Sequence, residues 1–197
     1  MRNLFSNCRS LEYINISYFN TSKVKTMYHI FYQCYSLKSI NLNNIDTSNV
    51  NDMTGMFERC YNLISIDLSN FNTSSATTMF AMFNECKSLT SLNLSNFNTS
   101  SVDNMNYMLQ YCEKIEYLDL SNFDTSKVTN MDTMFKGCKQ LKSLNLSNFN
   151  TKSLKEIAGM FQECNSLVEL DISNFDTSSI TRMSFMFSGC YNLTSLI

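Results

Sequence analysis

Eight cysteines are the residues most able to do chemistry, because thiolates form disulfides and bind zinc. They recur every 26 residues, at Cys8, Cys34, Cys60, Cys86, Cys112, Cys138, Cys164 and Cys190. Structural zinc sites use close pairs such as C-x₂-C, and this sequence contains none. On the helical side of the coil described below, neighbouring cysteines should exceed the roughly 7 Å Cα–Cα limit for a disulfide. The sequence therefore predicts a buried column of apolar thiols.

Methionine and histidine offer two further chemistries, soft-metal binding and acid–base catalysis. Most of the 13 methionines fall in two columns with the same 26-residue step, on an apolar stripe, which indicates core packing. His29 is the only histidine, and the sequence places no partner beside it, so we expect a surface residue. The four glycines form no phosphate-binding loop. These patterns predict no catalytic residue, no metal and no cofactor, and therefore not an enzyme.

Charge and hydropathy exclude two classes of partner. The formal net charge is −2, and lysines and arginines are scattered singly, so we expect no nucleic-acid binding. No apolar run approaches the roughly 18–20 residues of a spanning helix, so we expect no membrane insertion by this segment. The N-terminal residues lack a signal-peptide hydrophobic stretch, so any signal or anchor is expected outside these residues.

The 26-residue step organises the whole chain. Phenylalanine stands three residues before each cysteine except at Leu109, and threonine recurs without exception from Thr21 to Thr177. A leucine or isoleucine column begins at Leu11. The sequence therefore predicts one repeat array over 1–197, with a partial coil at 1–10, seven 26-residue coils at 11–192 and a partial coil at 193–197.

Each coil contains two periodicities, shown here for residues 115–138. Leu118 and Leu120 alternate with polar residues, which predicts a short strand with one buried face. From Val128 to Cys138 apolar residues follow at steps of three, three, one and three, which predicts a helix of about three turns. The Asp-Thr-Ser step at 124–126 is expected to cap that helix. One coil is therefore strand, polar turn, short helix and return.

Stacking these coils buries apolar columns that a single coil would leave exposed. Paired strands lie about 4.8 Å apart, whereas packed helices need about 8–10 Å. We therefore expect an α/β repeat solenoid that curves like a horseshoe, with parallel strands on the concave side and short helices on the convex side.

The coil sequence resembles a known family. The Leu-x-x-Leu-x-Leu core, as in residues 115–120, is that of leucine-rich repeats. The extension Leu-Ser-Asn-Phe-Asp-Thr-Ser-x-Val-x-x-Met-x-x-Met-Phe-x-x-Cys resembles the BspA-like repeats of bacterial surface proteins, especially mycoplasma-type surface lipoproteins. The resemblance implies a cell-surface or secreted protein that acts in adhesion and host contact. It carries no catalytic motif and names no ligand.

The concave strip is the predicted binding surface. Its exposed columns are mostly Ser and Asn, so Tyr13, Tyr117 and Glu169 are departures that the solenoid does not require. Tyrosine is also a favoured interface anchor. The predicted partner-binding residues are Tyr13, Asn15, Asp67, Asn93, Tyr117, Asp119, Glu169 and Asp171. Neutral variation on a solvated face is the alternative explanation.

Three functions remain open from the sequence. The favoured one is a non-catalytic protein-binding or adhesion module, whose protein ligand would be a host or extracellular-matrix protein. The second is a structural array that self-associates end to end, since neither terminus carries a polar capping unit. The third is an intracellular scaffold, for which the location would be cytoplasmic instead of the cell surface.

Overall fold

A computed structural model describes all 197 residues as one stack of coils. We number the coils 1 to 7 from residue 11 in steps of 26, with a partial coil 8 at 193–197. Six short strands are formed, β1 (Tyr13–Asn15), β2 (Ser39–Asn41), β3 (Tyr117–Asp119), β4 (Ser143–Asn145), β5 (Glu169–Leu170) and β6 (Ser195–Leu196). Coils 3 and 4 contain no strand. The predicted strands are thus present in coils 1, 2 and 5 to 8.

The strands pair as three separate parallel sheets, β1 with β2, β3 with β4 and β5 with β6. Equivalent residues oppose one another across each pair, as Tyr13 opposes Ser39 and Leu118 opposes Leu144. Each strand residue therefore pairs with the residue 26 positions later. A slip of this pairing by one residue would turn every buried side chain outward. We call residues 12–17 and their equivalents the strand face.

The opposite side, residues 26–34 and their equivalents, contains no helix, so the predicted helices are wrong. We call it the turn face. N–H groups at alternate positions of coil 1 donate to carbonyls of coil 2 at N···O distances of 2.9–3.1 Å, namely those of Met27, His29, Phe31 and Gln33. The intervening N–H groups of Ile30, Tyr32 and Cys34 donate three residues back within their own coil. A helix would use all of these groups internally.

Parallel bridges join the turn face without a break from Thr26 through Asp52 to Arg182. Stacked phenylalanines repeat this spacing, with ring centroids 5.5–5.6 Å apart. Helices need about 8–10 Å between axes, so they cannot stack at this distance. The predicted horseshoe curvature depended on helices spaced more widely than the strands. Because the structure contains no helices, that argument for curvature does not apply.

Left-handed backbone conformations make the turns possible. Two columns have positive φ at every position, as His29 (52°) and Gln33 (58°) show in coil 1, and Asn44 (64°) is one further case. All four glycines fall in these two columns, at Gly55, Gly137, Gly159 and Gly189. Glycine adopts this conformation without steric cost, so its placement marks the turns. Apolar residues at steps of three and one predicted a helix. They have the same spacing on the turn face because successive three-residue turns also bring every third side chain back towards the core.

One continuous core of 48 residues runs through the stack between Ile16 and Leu170. The predicted methionine and phenylalanine columns lie in it, with Met53, Phe57 and Met79 fully buried. Met183 is 46% exposed because it belongs to coil 7, which only one full coil covers. Burial of these columns is the main favourable term, since each apolar side chain packs against its equivalents in the next coils.

Two polar columns join the coils near the strand face. Buried Thr47 donates its hydroxyl to the carbonyl of Asn72 (2.9 Å) and accepts the N–H of the same residue (2.8 Å). The predicted helix-capping role of the threonines is therefore wrong, because no helix follows them and the hydroxyls from Thr21 to Thr151 bridge two coils instead. Asn96 donates its side-chain amide to the carbonyls of Leu68 and Phe71. Such bonds satisfy backbone groups that the turns leave without partners.

The structure contains no helix that could span a membrane.

Replacing Thr73 by Val should destabilise the stack while keeping its shape. The hydroxyl of Thr73 donates to the carbonyl of Asn98 (2.9 Å) and accepts its N–H (2.8 Å), and both bonds would be lost. We expect a loss of about 1–2 kcal/mol in the free energy of unfolding, measured by urea titration. Thr73→Ser keeps the hydroxyl and should retain most of the stability. A valine variant as stable as the wild type would contradict this role.

Candidate functional site

The predicted partner-binding residues lie in one strip along the strand face. Tyr13 and Asn15 belong to β1, Tyr117 and Asp119 to β3, and Glu169 to β5. The remaining predicted residues lie at equivalent positions, Asp67 in coil 3, Asn93 in coil 4 and Asp171 just after β5. The structure therefore brings all eight onto one face.

The two tyrosines project from a surface of small side chains. Tyr13 opposes Ser39 and Tyr117 opposes Ser143 across their strand pairs. Their side chains are 55% and 64% exposed, respectively. Glu169 opposes Ser195 in the same way. These three positions are the places where the strip offers large groups instead of serine.

A charged pair stands beside each tyrosine. Lys142 Nζ lies 2.7 Å from Glu116 Oε2 and 5.8 Å from the centroid of the Tyr117 ring. The hydrogen bond to Glu116 raises the pKa of Lys142 above its usual value. In coil 2, Lys38 Nζ lies 2.8 Å from Glu12 Oε2. Such exposed pairs add little stability, so they matter chiefly for the surface that they present.

The middle column of the strip has a structural task in every coil. Asp119 Oδ1 accepts the backbone N–H of Ser121 at 3.0 Å, and Asn15 and Asp67 bond the serine two residues on in the same way. These Asx turns end each strand. The N–H donated by Ser121 lowers the pKa of Asp119 below its usual range. A fold requirement therefore explains Asn or Asp at these positions, whereas it does not explain the tyrosines.

Sequence reasoning missed the residues just before the strands. It followed the alternating columns and left out Glu12, Lys38, Ile64 and Val168. Ile64 and Val168 are 53% and 50% exposed, which is unusual for large apolar side chains in a strip of Ser and Asn. Their column could have been noticed from the sequence, because its residue types recur after four coils.

The cysteine column is buried from Cys34 to Cys164 as predicted, whereas Cys8 is exposed and Cys190 is half-buried, and every thiol is free. The spacing argument was wrong, because the turn-face coils are close enough for backbone hydrogen bonds. Each thiol from Cys34 onward instead donates to a carbonyl of the preceding coil, as Cys86 does to Phe57 at 3.2 Å. Burial raises the pKa of Cys34 to about 11 and that of Cys138 to about 12. These buried thiols are therefore protonated at neutral pH and are poor nucleophiles.

His29 is less exposed than predicted and contacts no nucleophile. Its ring stacks on Tyr32, with centroids 4.5 Å apart, and Nε2 lies 3.2 Å from Glu58 Oε2. Burial lowers the pKa of His29, which outweighs the opposite effect of Asp52. The ring is therefore neutral at pH 7 and packs against its neighbours. No group of three His, Cys, Asp or Glu side chains is arranged to hold a metal ion.

A family model described as Mycoplasma protein of unknown function, DUF285, matches residues 1–118 and 110–197. The chain belongs to this family. The DUF285 match covers the whole array and confirms the resemblance to BspA-like leucine-rich repeats. No match is found among curated protein sequences.

Two solved structures share the fold of this DUF285 chain. A leucine rich cell surface protein from Faecalibacterium prausnitzii A2-165 has a TM-score of 0.59 at 19% identity, covering 95% of this chain and 47% of its own. A leucine-rich repeat protein of T. pallidum has a TM-score of 0.52 at 20% identity, covering 84% of this chain and 69% of its own. The chain thus spans just under half of the F. prausnitzii protein. At these identities the likeness establishes a leucine-rich-repeat solenoid.

Thiol labelling of the native DUF285 chain should distinguish the exposed cysteine from the buried ones by their reaction rates. Cys8 is exposed, so we expect it to react promptly with a thiol reagent. The buried thiols from Cys34 to Cys164 should react at least about 100-fold more slowly, because burial and raised pKa both deplete the thiolate. In urea without reductant all eight should react at similar rates. Fewer than eight reactive thiols in urea would reveal disulfides and contradict the structure.

Proposed function

We propose that the chain is a non-catalytic protein-binding module of a cell-surface protein and acts in adhesion through its strand face. The observation that carries this proposal is the pair Tyr13 and Tyr117, which stand at least half exposed in register with serines. Exposed tyrosine on a rigid scaffold loses little conformational entropy when it is covered, which suits an interface anchor. The stacked coils supply that scaffold.

The other predicted residues form the surround of these anchors. Asn15, Asn93 and Asp171 each use one side-chain oxygen in an Asx turn. Asp67 and Asp119 do the same and are exposed to solvent. We propose that their remaining polar groups, together with Glu169, form the polar rim of the interface. The mildly acidic rim favours a neutral or basic patch on the partner.

The cell-surface location draws support from two sources. The family resemblance implies surface proteins, and one structural relative is described as a leucine rich cell surface protein. We propose a cell-surface or secreted location, with a host or extracellular-matrix protein as the ligand.

An adhesion assay on intact source cells tests site and location together. Replacing Tyr13, Tyr117 and Glu169 by Ser in the parent protein should lower attachment to immobilised extracellular matrix at least about tenfold, since anchors dominate interface energy. The urea midpoint should stay unchanged, because all three side chains are exposed. Protease added outside the wild-type cells should remove the same attachment.

Tyr18→Ser with Tyr191→Ser is the matched control, because both tyrosines are more than 80% exposed but lie outside the strand face. The control should attach like the wild type. Equal attachment by the triple variant would refute the site, and a protein that external protease leaves intact would refute the surface location.

A further inference from the structure

Backbone hydrogen bonds cross the strand face at every second junction, where a junction is the contact between two successive coils. Just before the strands, four N–H groups donate to a carbonyl of the coil before at N···O distances of 2.8–3.0 Å, those of Lys38, Thr90, Lys142 and Thr194. The equivalent N–H groups of Ile64, Glu116 and Val168 donate to no such carbonyl. Junctions 1–2, 3–4, 5–6 and 7–8 are therefore closed, and junctions 2–3, 4–5 and 6–7 are open.

The turn face shows no such alternation. Parallel bridges join its coils from Thr26 to Arg182 without a break. The apolar column under the strand face is also less well covered, since Ile40 and Ile66 are only partly buried whereas Phe57 is fully buried. Two grooves of about 240 and 200 Å³ lie at the open junction between coils 6 and 7. Because every coil offers the same backbone donors and acceptors, side chains have to select which junctions close.

The column just before the strands forms side-chain bonds at the closed junctions. It reads Glu12, Lys38, Ile64, Thr90, Glu116, Lys142, Val168 and Thr194. Lys38 Nζ lies 2.8 Å from Glu12 Oε2 across junction 1–2, and Lys142 Nζ lies 2.7 Å from Glu116 Oε2 across junction 5–6. All four side chains are at least 42% exposed, so core packing does not require them.

Threonine takes the same place at the other two closed junctions. The hydroxyl of Thr90 donates to the carbonyl of Ile64 at 3.3 Å, across junction 3–4. The hydroxyl of Thr194 donates to the carbonyl of Val168 at 3.2 Å, across junction 7–8. Every closed junction thus has a side-chain bond from this column, and no side chain of the column bonds across an open junction.

The order of the charges favours this pairing over the alternative one. In the alternative pairing, Lys38 would face Ile64 and Lys142 would face Val168, and an aliphatic side chain cannot accept a hydrogen bond from an ammonium group. Exposed ion pairs contribute little to the stability of a whole protein. The two pairings use the same backbone groups and differ little in energy, so a small side-chain contribution is enough to select one of them.

Both Glu–Lys pairs lie beside a predicted anchor. Tyr13 belongs to β1 and Tyr117 to β3, and these strands pair with β2 and β4 at the closed junctions 1–2 and 5–6. Lys142 Nζ lies 5.8 Å from the centroid of the Tyr117 ring. A strand that is bonded to its neighbour opens less often than an unpaired one, and it therefore holds its side chains in a better defined position.

We propose that the two Glu–Lys pairs select which strand-face junctions close, and so act as positioning residues for Tyr13 and Tyr117. The threonine hydroxyls make the same selection at junctions 3–4 and 7–8. The selection itself does not depend on the proposed function, whereas its effect on binding rests on that function.

Amide hydrogen exchange followed by NMR tests the selection on the full chain without a ligand. Glu116→Lys places like charges across junction 5–6, so the protection factor of the residue 142 amide should fall at least about threefold. Glu116→Lys with Lys142→Glu restores the attraction and should bring that factor within about twofold of the wild-type value. Glu113→Lys is the matched control, because Glu113 pairs with Lys139 at 3.0 Å over the same 26 residues but outside the strand face. The control should leave the residue 142 amide unchanged.

Moving a charge pair by one coil tests the selection more sharply. Lys142→Glu with Val168→Lys puts the glutamate in coil 6 and the lysine in coil 7, across the open junction 6–7. The protection factor of the residue 168 amide should rise and that of the residue 142 amide should fall, each at least about threefold. The selection is overturned if both amides keep their wild-type protection, or if Glu116→Lys leaves the residue 142 amide as protected as before.

Attachment of intact cells separates this inference from the proposed function. Glu12→Lys with Glu116→Lys keeps both tyrosines and should lower attachment at least about threefold. Adding Lys38→Glu and Lys142→Glu restores the wild-type net charge and should restore attachment. Attachment that ignores these changes while amide exchange responds would overturn the positioning role but keep the selection. Attachment that survives the triple variant of Tyr13, Tyr117 and Glu169 overturns the proposed function itself.

Discussion

The structure depends on backbone hydrogen bonds that pass from coil to coil along the turn face. Alternate N–H groups donate to the next coil, and the parallel bridges continue from Thr26 to Arg182 without interruption. These bonds fix a spacing near that of a β-sheet, which then determines which side chains fit between coils. Flat phenylalanine rings stack at this spacing, and helices are excluded because they need more room.

The strict columns of the repeat follow from this constraint. A small thiol fits beside the turn and donates a hydrogen bond to a carbonyl of the preceding coil, as Cys112 does to Phe83 at 3.3 Å. Near the strands, the threonine hydroxyl forms a hydrogen bond to the next coil, as Thr47 does to Asn72. The asparagine side-chain amide donates to two carbonyls of the preceding coil. Residue types that could have done chemistry are therefore used to satisfy the backbone. Exposed positions are freer to vary, and on the strand face Tyr13 and Tyr117 are large side chains in a column of serines.

The sequence allowed much of the architecture to be predicted, including the repeat, the buried columns and the short strands. It did not allow the turn face to be predicted, because apolar steps of three and four suit both a helix and a run of three-residue turns. The glycines could have decided between them, since Gly55 and Gly159 share one column and Gly137 and Gly189 the other. A helix interior gives no reason to confine glycine in this way.

Only part of the candidate site could be predicted from the sequence, because the sequence reasoning compared each residue with its equivalents in the other coils. Tyr13 and Tyr117 broke a column of serines and were visible as exceptions. Asn15 and Asp119 were included for their chemistry, yet the Asx turns explain them without a ligand. Ile64 and Val168 were missed because their column changes from coil to coil, whereas the sequence reasoning followed columns that repeat in nearly every coil.

Scalar couplings transmitted through hydrogen bonds test the central claim most directly. In the turn face of coil 3, the N–H of Ala81 donates to the carbonyl of Asn106 at 2.9 Å. A long-range NMR experiment on the deuterated protein should therefore show a coupling between Ala81 N and the carbonyl carbon of Asn106. A coupling from Ala81 N to the carbonyl carbon of Thr77, four residues earlier, would show a helix and contradict the account.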